Sequence, residues 1–272
     1  MTKMPYVINR TVTSLTATEL MGATAIGDSR FAVMNSLTEI QIPSTVKSIG
    51  ATAFFECSNL TKVDFQNGSL LTEIGVMSFS NCNKLATITG LETLNPYCIL
   101  HMNSLEDTPY VTNKIAAGLP DFGYAAQGKI LLYNNNLTGN FTIPSTVVNL
   151  GPASCGYTTE DTTTTRLIIP DTVEIVNDCA FSNRTALATI TIGSAVRYIG
   201  TEVFTYYGEG GVLIFRQPAG MHIKVPTTGN GMAYQKNSRE MTIFTDNEYI
   251  QNYDWAKDNV TATIYPLSDA PA

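Results

Sequence analysis

The chain contains few side chains whose type and spacing could support chemistry. His101 and His222 are its only histidines, and neither has a Cys, Asp or Glu at the spacing of a metal site. The acid pairs at 106–107 and 160–161 are adjacent in sequence. Neighbouring side chains on extended chain point in opposite directions, so these pairs do not resemble the facing carboxylates of a glycosidase. We interpret them as solvated loop acids.

A third acidic group lies near the C-terminus and suggests calcium as a ligand. It comprises Asp246, Glu248, Asp254 and Asp258. It lacks the glycine and the alternating oxygen donors of a dedicated calcium loop. No nucleophile motif, phosphate-binding glycine loop or zinc signature is present either. We therefore expect a protein that is not an enzyme, with no catalytic residues, no metal site and no cofactor.

The five cysteines have two possible roles, structural thiols or disulfides. Cys57 and Cys82 each follow a phenylalanine by three residues, so they are candidates for a disulfide. Cys98, Cys155 and Cys179 occupy unrelated positions, and the total is odd. Because a free cysteine is commonly a small buried apolar residue, we favour reduced, buried thiols, although the Cys57–Cys82 disulfide stays open.

An internal repeat organises most of the chain. An apolar residue recurs with a second large or apolar residue five positions later, and successive copies are 20 to 26 residues apart within each half of the chain. Periods in the low twenties are typical of leucine-rich repeats, whose units stack and share one core. The pairs are Ile26/Phe31, Ile49/Phe54, Ile74/Phe79, Leu94/Ile99, Leu150/Cys155, Val176/Phe181 and Ile199/Phe204.

Each repeat reads as a short strand followed by a turn. Residues 37–42 alternate apolar and polar side chains, which predicts a strand with one buried face. Pro43, Pro144 and Pro170 should end such strands, since proline has no N–H for a sheet. Glycine or asparagine directly follows the first residue of each pair, and we expect a left-handed backbone there. These residues are Gly27, Gly50, Gly75, Asn95, Gly151, Asn177 and Gly200.

The pattern L-T-x-I-x-I-P-x-x-V-x-x-I-G-x-x-A-F-x-x-C-x-x-L of residues 37–60, echoed at 169–187, resembles the BspA-like leucine-rich repeats of bacterial surface proteins. The resemblance covers residues 10–105 and 141–216. It implies a mostly β or α+β solenoid, a right-handed coil whose short strands stack in a parallel sheet. It also implies a non-catalytic adhesion or recognition protein, and it supplies no catalytic residues.

We predict a single solenoid over residues 1–272. The segment 106–140 interrupts the period, and its strands at 129–133 and 141–143 should form a hairpin around an asparagine turn. A short helix at 248–256 and a strand at 261–265 should cover the open end. The predicted parts are an N-terminal cap (1–25), a first repeat block (26–105), an insertion with a hairpin (106–140), a second repeat block (141–216) and a C-terminal cap (217–272).

Composition excludes several partners. The chain has 16 basic and 23 acidic residues and a net charge of −7, which disfavours nucleic acid and anionic lipid. No apolar run is long enough to insert into a membrane. The first thirty residues show no basic start followed by an apolar region, so we see no signal peptide.

The strand alternation predicts the surface that contacts a partner. Outward positions of successive strands should stack into a ladder of polar side chains. Such an extended face suits a protein or a carbohydrate better than a buried small molecule. The alternatives are a plain solvated sheet, or recognition by the loops at 158–165 and 206–211. The ladder comprises Glu39, Gln41, Lys62, Asp64, Thr87, Thr89, Asn140, Thr142, Arg166, Thr189 and Thr191.

Three functional classes follow from these observations. We favour a recognition or adhesion module on an outer surface, facing protein or carbohydrate on a host or neighbouring surface. Because no export signal is visible, we slightly favour a phage or phage-like virion component over a bacterial cell-surface adhesin. An architectural role, binding only partners within its own particle, is the second class, and an enzyme is the third.

Overall fold

The structure is a computed structural model. It describes residues 9–105, 108–116, 122–134, 139–155, 164–182, 184–205, 210–227 and 230–271. Short parallel strands dominate it, and helices are few. The chain divides into two compact units, residues 1–133 and residues 134–272. The predicted mostly β repeat fold is confirmed, while the assignment of all 272 residues to one solenoid stays a prediction.

The regular elements follow one another closely along the chain. Strands β1 to β10 are Ser14–Leu15, Ala25–Ile26, Glu39–Ile42, Ser48–Ile49, Lys62–Phe65, Glu73–Ile74, Thr87–Thr89, Ile99–Leu100, Phe122–Ala125 and Ile130–Asn134. Strands β11 to β19 are Asn140–Thr142, Asn149–Leu150, Arg166–Ile169, Ile175–Val176, Thr189–Ile192, Tyr198–Ile199, Gly211–Phe215, Arg239–Thr245 and Val260–Tyr265. The α-helices are α1, Pro109–Ala116, and α2, Glu248–Gln251.

In the first unit, alternate strands form two parallel sheets. Sheet 1 has the order β1-β3-β5-β7, and sheet 2 has the order β2-β4-β6-β8. One turn of the solenoid, here called a coil, contributes one strand to each sheet. Ile40 of β3 pairs with Val63 of β5, which pairs with Ile88 of β7, so equivalent residues stack. This register puts the apolar positions of every coil into one core.

The second unit repeats the arrangement. Sheet 3 contains β11-β13-β15-β17-β18-β19 in parallel, and β12, β14 and β16 pair in parallel as sheet 4. Residues 217–272 therefore contain two further strands of sheet 3, together with α2 and a 3₁₀ turn at Trp255–Asp258. The predicted helix is shorter than expected, and the predicted last strand is present as β19.

The phenylalanine of the repeat forms a stacked column in the first unit. The ring centroids of Phe31 and Phe54 are 5.1 Å apart, and those of Phe54 and Phe79 are 4.9 Å apart. All three side chains are buried. Each buried ring stabilises the fold by about 1.5–3 kcal/mol through removal from water. The column explains why the spacing of the large residue is kept while the residues between change.

The prolines end the strands as predicted. β3 ends at Ile42, β11 ends at Thr142 and β13 ends at Ile169, each within two residues of a proline. The proline nitrogen carries no hydrogen, so it cannot continue the backbone ladder to the next coil.

The prediction of a left-handed backbone at the recurring glycines and asparagines is wrong. No positive φ occurs at Gly27, Gly50, Gly75 or Gly200, nor at Asn95, Gly151 or Asn177. The left-handed residue lies two positions further on in each coil and is not glycine. These residues are Ser29, Thr52, Met77, Ala153, Cys179 and Glu202, with φ of 53°, 54°, 54°, 49°, 57° and 53°.

Glycine is required by contact between coils. A Cβ on Gly50 would lie 2.5 Å from the backbone nitrogen of Asp28 in the preceding coil. A Cβ on Gly75 would lie 2.6 Å from the nitrogen of Ala51. Gly27 belongs to the first of these coils, and its Cβ would meet nothing within 4 Å. Glycine recurs at this position because the backbones of successive coils approach closely there, and not because the position needs a positive φ.

The fourth coil is displaced from its predicted register. β8 pairs Leu100 with Ile74, so His101 occupies the position that follows the short strand, where Asn95 was expected. Asn103, two residues further on, has φ 55° and matches the left-handed position of the other coils. The pair Leu94/Ile99 was therefore aligned six residues too early.

The insertion contains a hairpin, but not the predicted one. β10 and β11 belong to different sheets, so they do not pair with each other. One neighbour of β10 is β9. Only four residues connect these two strands, and so short a connection allows only antiparallel pairing. β11 instead pairs with β13 as the first strand of sheet 3, because its alternation matches the repeat.

Candidate functional site

The outer face of sheet 1 presents the predicted ladder in register. Glu39 pairs with Lys62, which pairs with Thr87. Glu39 and Thr87 are exposed, and Lys62 is half-buried. Strands lie about 4.8 Å apart, so the three side chains form one row across the sheet.

A second row runs parallel to the first on the same sheet. Gln41 pairs with Asp64, which pairs with Thr89. The Thr89 hydroxyl donates a hydrogen bond to the Asp64 carboxylate. The backbone N–H of Ala17 donates to Gln41 Oε1 at 3.2 Å. These bonds between coils hold the row in place and leave the side chains at the surface.

On sheet 3, one predicted row is polar and the other is not. Asn140 pairs with Arg166, which pairs with Thr189, and these residues are exposed or half-buried. In the other row Thr142 is exposed, but Thr191 is only 9 % exposed. The proposal of Thr191 as a ligand contact is therefore unsupported by its accessibility.

Apolar residues continue the row of Thr191 and explain its burial. Thr191 pairs with Ile214, and Ile214 pairs with Phe244, which pairs with Tyr265. The Phe244 and Tyr265 rings stack with centroids 5.5 Å apart. In this row the outward side chains therefore pack against one another and are partly shielded from solvent. Sequence alternation alone did not reveal this packing.

The histidines do have neighbours that the sequence did not reveal. His101 Nε2 lies 3.2 Å from Glu73 Oε1, a residue of the preceding coil. The His222 ring packs edge-on against Tyr249 with centroids 4.7 Å apart. Throughout the described ranges, no three His, Cys, Asp or Glu residues form a group that could hold a metal ion.

The C-terminal acids do not converge on a calcium site. The Asp258 carboxylate is buried and accepts hydrogen bonds from the N–H groups of Gly231 and Ala233, at 2.8 and 3.0 Å. Asp246 accepts from the N–H of Leu267 at 3.0 Å. Both carboxylates are thus occupied by backbone donors. The acid pairs 106–107 and 160–161 and most of the loops 158–165 and 206–211 lie outside the described residues.

The cysteines are free thiols and are buried. Cys57 Sγ donates to the carbonyl of Phe31, and Cys82 Sγ donates to that of Phe54, both at 3.1 Å. Each thiol thereby satisfies a carbonyl of the preceding coil. The hydrogen bond with Cys57, followed by burial, raises the pKa of the Cys82 thiol. Burial raises the pKa of Cys155 to about 12.

The structure also contains a groove that the sequence did not reveal. It lies beside α2 and has a volume of about 650 Å³. One wall carries Glu248 and Tyr249, the other includes Pro226, and Asp254 and Lys257 also line it. Its walls come from segments more than twenty residues apart that carry no recognisable motif, so only folding brings them together.

Stacked parallel coils with a shared apolar core define a leucine-rich repeat protein. The BspA type leucine-rich repeat region matches residues 10–116 and 128–261, in six copies. Because this match covers most of the chain, the protein belongs to the BspA type leucine-rich repeat family. The expected resemblance is confirmed. Proteins of this class are generally non-enzymatic binding scaffolds, and no catalytic family is indicated.

Several solved structures resemble the chain at low identity. A leucine-rich repeat protein of Eubacterium ventriosum is 18% identical, with 94% of this chain and 73% of that chain covered and a TM-score of 0.37. Pneumococcal vaccine antigen PcpA is 15% identical, with 89% of this chain and 70% of that chain covered and a TM-score of 0.32. A leucine-rich cell surface protein of Faecalibacterium prausnitzii is 19% identical, with 75% of this chain and 63% of that chain covered and a TM-score of 0.30. No curated protein matches the chain.

The helices give no sign of a membrane span. Among the described residues, none is both long enough and apolar enough to cross a bilayer.

Proposed function

We propose that the chain is a non-enzymatic recognition or adhesion module displayed on an outer surface. The observation that carries this proposal is the pair of in-register polar rows on the outer face of sheet 1. Family membership supports a binding scaffold of the surface-protein type. Carbohydrate or protein on a host or neighbouring surface is the proposed partner.

The chemistry of the two rows suits such a partner. Glu39, Lys62 and Asp64 supply opposite charges within about two strand spacings, and Gln41 and Thr87 add neutral donors and acceptors. Hydrogen bonds to ionised groups are stronger and more directional than neutral ones. A flat face with mixed charge therefore favours an extended polar surface over a small apolar molecule.

The surface that displays the module is a separate question. A bacterial cell envelope agrees with the surface-protein character of the family. The virion location and the architectural role stay predictions. Mass spectrometry of purified particles against washed cell envelopes separates these locations, and recovery with envelopes alone would remove the virion proposal.

The test of the proposal is binding of the fluorescently labelled chain to intact epithelial and bacterial cells. The test variant replaces Lys62, Asp64 and Thr87 with Ala. The control replaces Lys47 and Glu73 with Ala. Both residues are exposed at sheet 2, and the change removes one positive and one negative charge, as the test variant does. We expect the test variant to lose binding, while the control and the unfolding midpoints of both stay close to the wild type.

Two treatments of the cells identify the partner class. Loss of binding after protease indicates a protein, and loss after periodate indicates a carbohydrate. If the wild type binds no cell type, or if the triple variant binds as well as the wild type, sheet 1 is not the recognition surface.

A further inference from the structure

The groove beside α2 has a prearranged wall. Asn247, which is fully buried, precedes α2, and its Oδ1 accepts from the N–H of Tyr249 at 3.1 Å. Its amide donates to the carbonyls of Pro218 and Met221, at 2.7 and 2.8 Å. These bonds tie the first turn of α2 to the preceding coil, so the side chains that face the groove are held before any ligand arrives.

The base of the groove is held equally firmly. The Tyr253 hydroxyl donates to Asp258 Oδ2 at 2.8 Å and accepts from the N–H of Met232 at 2.9 Å. Lys257 Nζ lies 4.8 Å from the Tyr253 ring centroid and donates to the carbonyl of Pro226 at 2.8 Å. One lysine thus links both walls and covers one aromatic ring.

An aromatic ring at the rim remains open to solvent. Tyr249 is 38 % exposed, and its described ring contact is the edge-on one with His222. An exposed aromatic face beside fixed polar groups binds the apolar C–H face of a polar ring without requiring a deep apolar cavity. Exposed aromatic side chains of this kind are enriched at recognition sites.

The polar groups around Tyr249 include both donors and acceptors. Glu248 and Asp254 supply carboxylate acceptors. Asn252 donates one amide proton to the carbonyl of Glu248 at 2.8 Å, and a carboxamide has further capacity to donate and accept. Lys257 adds ammonium donors. Vicinal hydroxyl groups, which donate and accept at once, match this mixture.

We propose that this groove binds a terminal unit of a neutral saccharide, stacked on Tyr249 and hydrogen-bonded by Glu248 and Asp254. Glu248 and Asp254 outnumber the ammonium of Lys257 by one charge, so a cationic ligand is the competing occupant, and a cationic probe tests for it. A lipid tail would leave the carboxylates desolvated and without a partner. The groove belongs to the second unit and the ladder on sheet 1 belongs to the first, so the two binding proposals are tested independently.

The experiment is saturation-transfer difference NMR on the full chain. The probes are the methyl glycosides of glucose, galactose, mannose, N-acetylglucosamine and N-acetylgalactosamine, with lysine methyl amide as the cationic probe. The variants are Tyr249→Ala, the conservative Tyr249→Phe and, for the cationic probe, Glu248→Gln. The control is Tyr97→Ala, the same change at a tyrosine of similar exposure, 43 %, in the other unit. Unfolding midpoints establish that each variant is folded.

We expect at least one glycoside to receive saturation at its ring C–H protons. Tyr249→Ala should weaken its binding about tenfold, equivalent to about 1.4 kcal/mol, while Tyr249→Phe and Tyr97→Ala bind like the wild type. No transfer to any glycoside overturns the proposal. So does equal binding by Tyr249→Ala, or transfer to lysine methyl amide alone with loss in Glu248→Gln, which would identify a cation site.

Discussion

The glycine that follows the short strand of each coil is the sharpest test of the packing described here. Gly27 and Gly50 occupy equivalent positions in successive coils, and neither has a positive φ. A Cβ on Gly50 would lie 2.3 Å from Oδ1 and 2.5 Å from the nitrogen of Asp28, whereas a Cβ on Gly27 would meet nothing. We predict that alanine is damaging at Gly50 and harmless at Gly27.

The expected magnitude follows from these contacts. Alanine at Gly50 must push the coils apart, which costs about 1–3 kcal/mol for overpacking. The push also disturbs the hydrogen bond from the N–H of Ala51 to Asp28 Oδ1, 2.9 Å long, at about 1 kcal/mol. The free energy of unfolding should therefore fall by about 2–4 kcal/mol in total. Gly27→Ala should raise it by about 0.4–1 kcal/mol, because alanine has a less flexible unfolded state.

The assay is urea and thermal unfolding of the two variants beside the wild type. Each kcal/mol lowers the Tm of a chain of this size by about 2–4 °C, so Gly50→Ala should unfold about 4–16 °C lower. Gly200→Ala provides a second test, since its Cβ would lie 2.6 Å from the nitrogen of Asp178. Circular dichroism establishes that the native strand content is unchanged.

The refuting result is equal destabilisation at Gly27 and Gly50. These positions share a register and differ in the coil that precedes them. Equal losses would mean that glycine serves its own backbone conformation and that contact between coils is not the reason for it. Normal stability of Gly50→Ala would refute the stated approach of the coils directly.

Three further substitutions and one labelling experiment test other parts of the structure. Phe54→Ala should cost about 3–5 kcal/mol in urea unfolding, because it interrupts the ring column, and an effect below about 1 kcal/mol would contradict it. Val33→Gly should stabilise by about 0.5–1 kcal/mol, since an exposed valine has φ 60° there; a loss would show that this conformation is not strained. The backbone N–H of Ser194 lowers the pKa of Asp171, so its stabilisation is present above the usual value of 3.8 and is lost as pH falls through the lower folded value. Asp171→Asn should therefore be less stable than the wild type at neutral pH and equal to it in strong acid, and a constant gap across the pH range would count against this linkage. The buried Cys155 thiol, with its pKa raised to about 12, should react with a thiol reagent only after unfolding, and rapid labelling of the native chain would contradict this burial.

The parts of the fold that the sequence could predict are those with a local cause. Apolar alternation places Ile40 and Ile42 in the core, and the stacking of identical coils repeats that result along the chain. Proline ends the strands for a reason internal to its own ring. The family resemblance rests on the same local positions, and it was confirmed.

The failures have a common origin in contacts between distant residues. A glycine in a sequence can indicate either a positive φ or a close approach of backbones, and at Gly50 only the position of the preceding coil shows that close approach is the reason. The predicted hairpin is wrong because β10 lies beside β9, while β11 pairs with β13, a strand more than twenty residues further along the chain. The outer row of sheet 3 continues into Phe244 and Tyr265, which lie beyond the second repeat block and pair with it only in the folded chain.

The groove beside α2 was beyond sequence reasoning for a related reason. Its wall residues Pro226 and Tyr249 are separated by 23 positions and carry no shared motif. The one available signal was the aromatic and acidic composition of residues 248–256, which we interpreted as a cap over the core. Capping and binding are compatible, because the buried Asn247 and Tyr253 hold the segment while Tyr249 stays at the surface.

The alternation of the strands separates stability from recognition. On β5 the buried Val63 and Phe65 pack into the core, while Lys62 and Asp64 between them face outward. Changes to the outward residues therefore leave the apolar contacts that hold the coils together. In such a scaffold the binding surface can change coil by coil while the core pattern stays constant. For the same reason, loss of binding by the triple variant of Lys62, Asp64 and Thr87 can be attributed to the surface itself, provided its unfolding midpoint is unchanged.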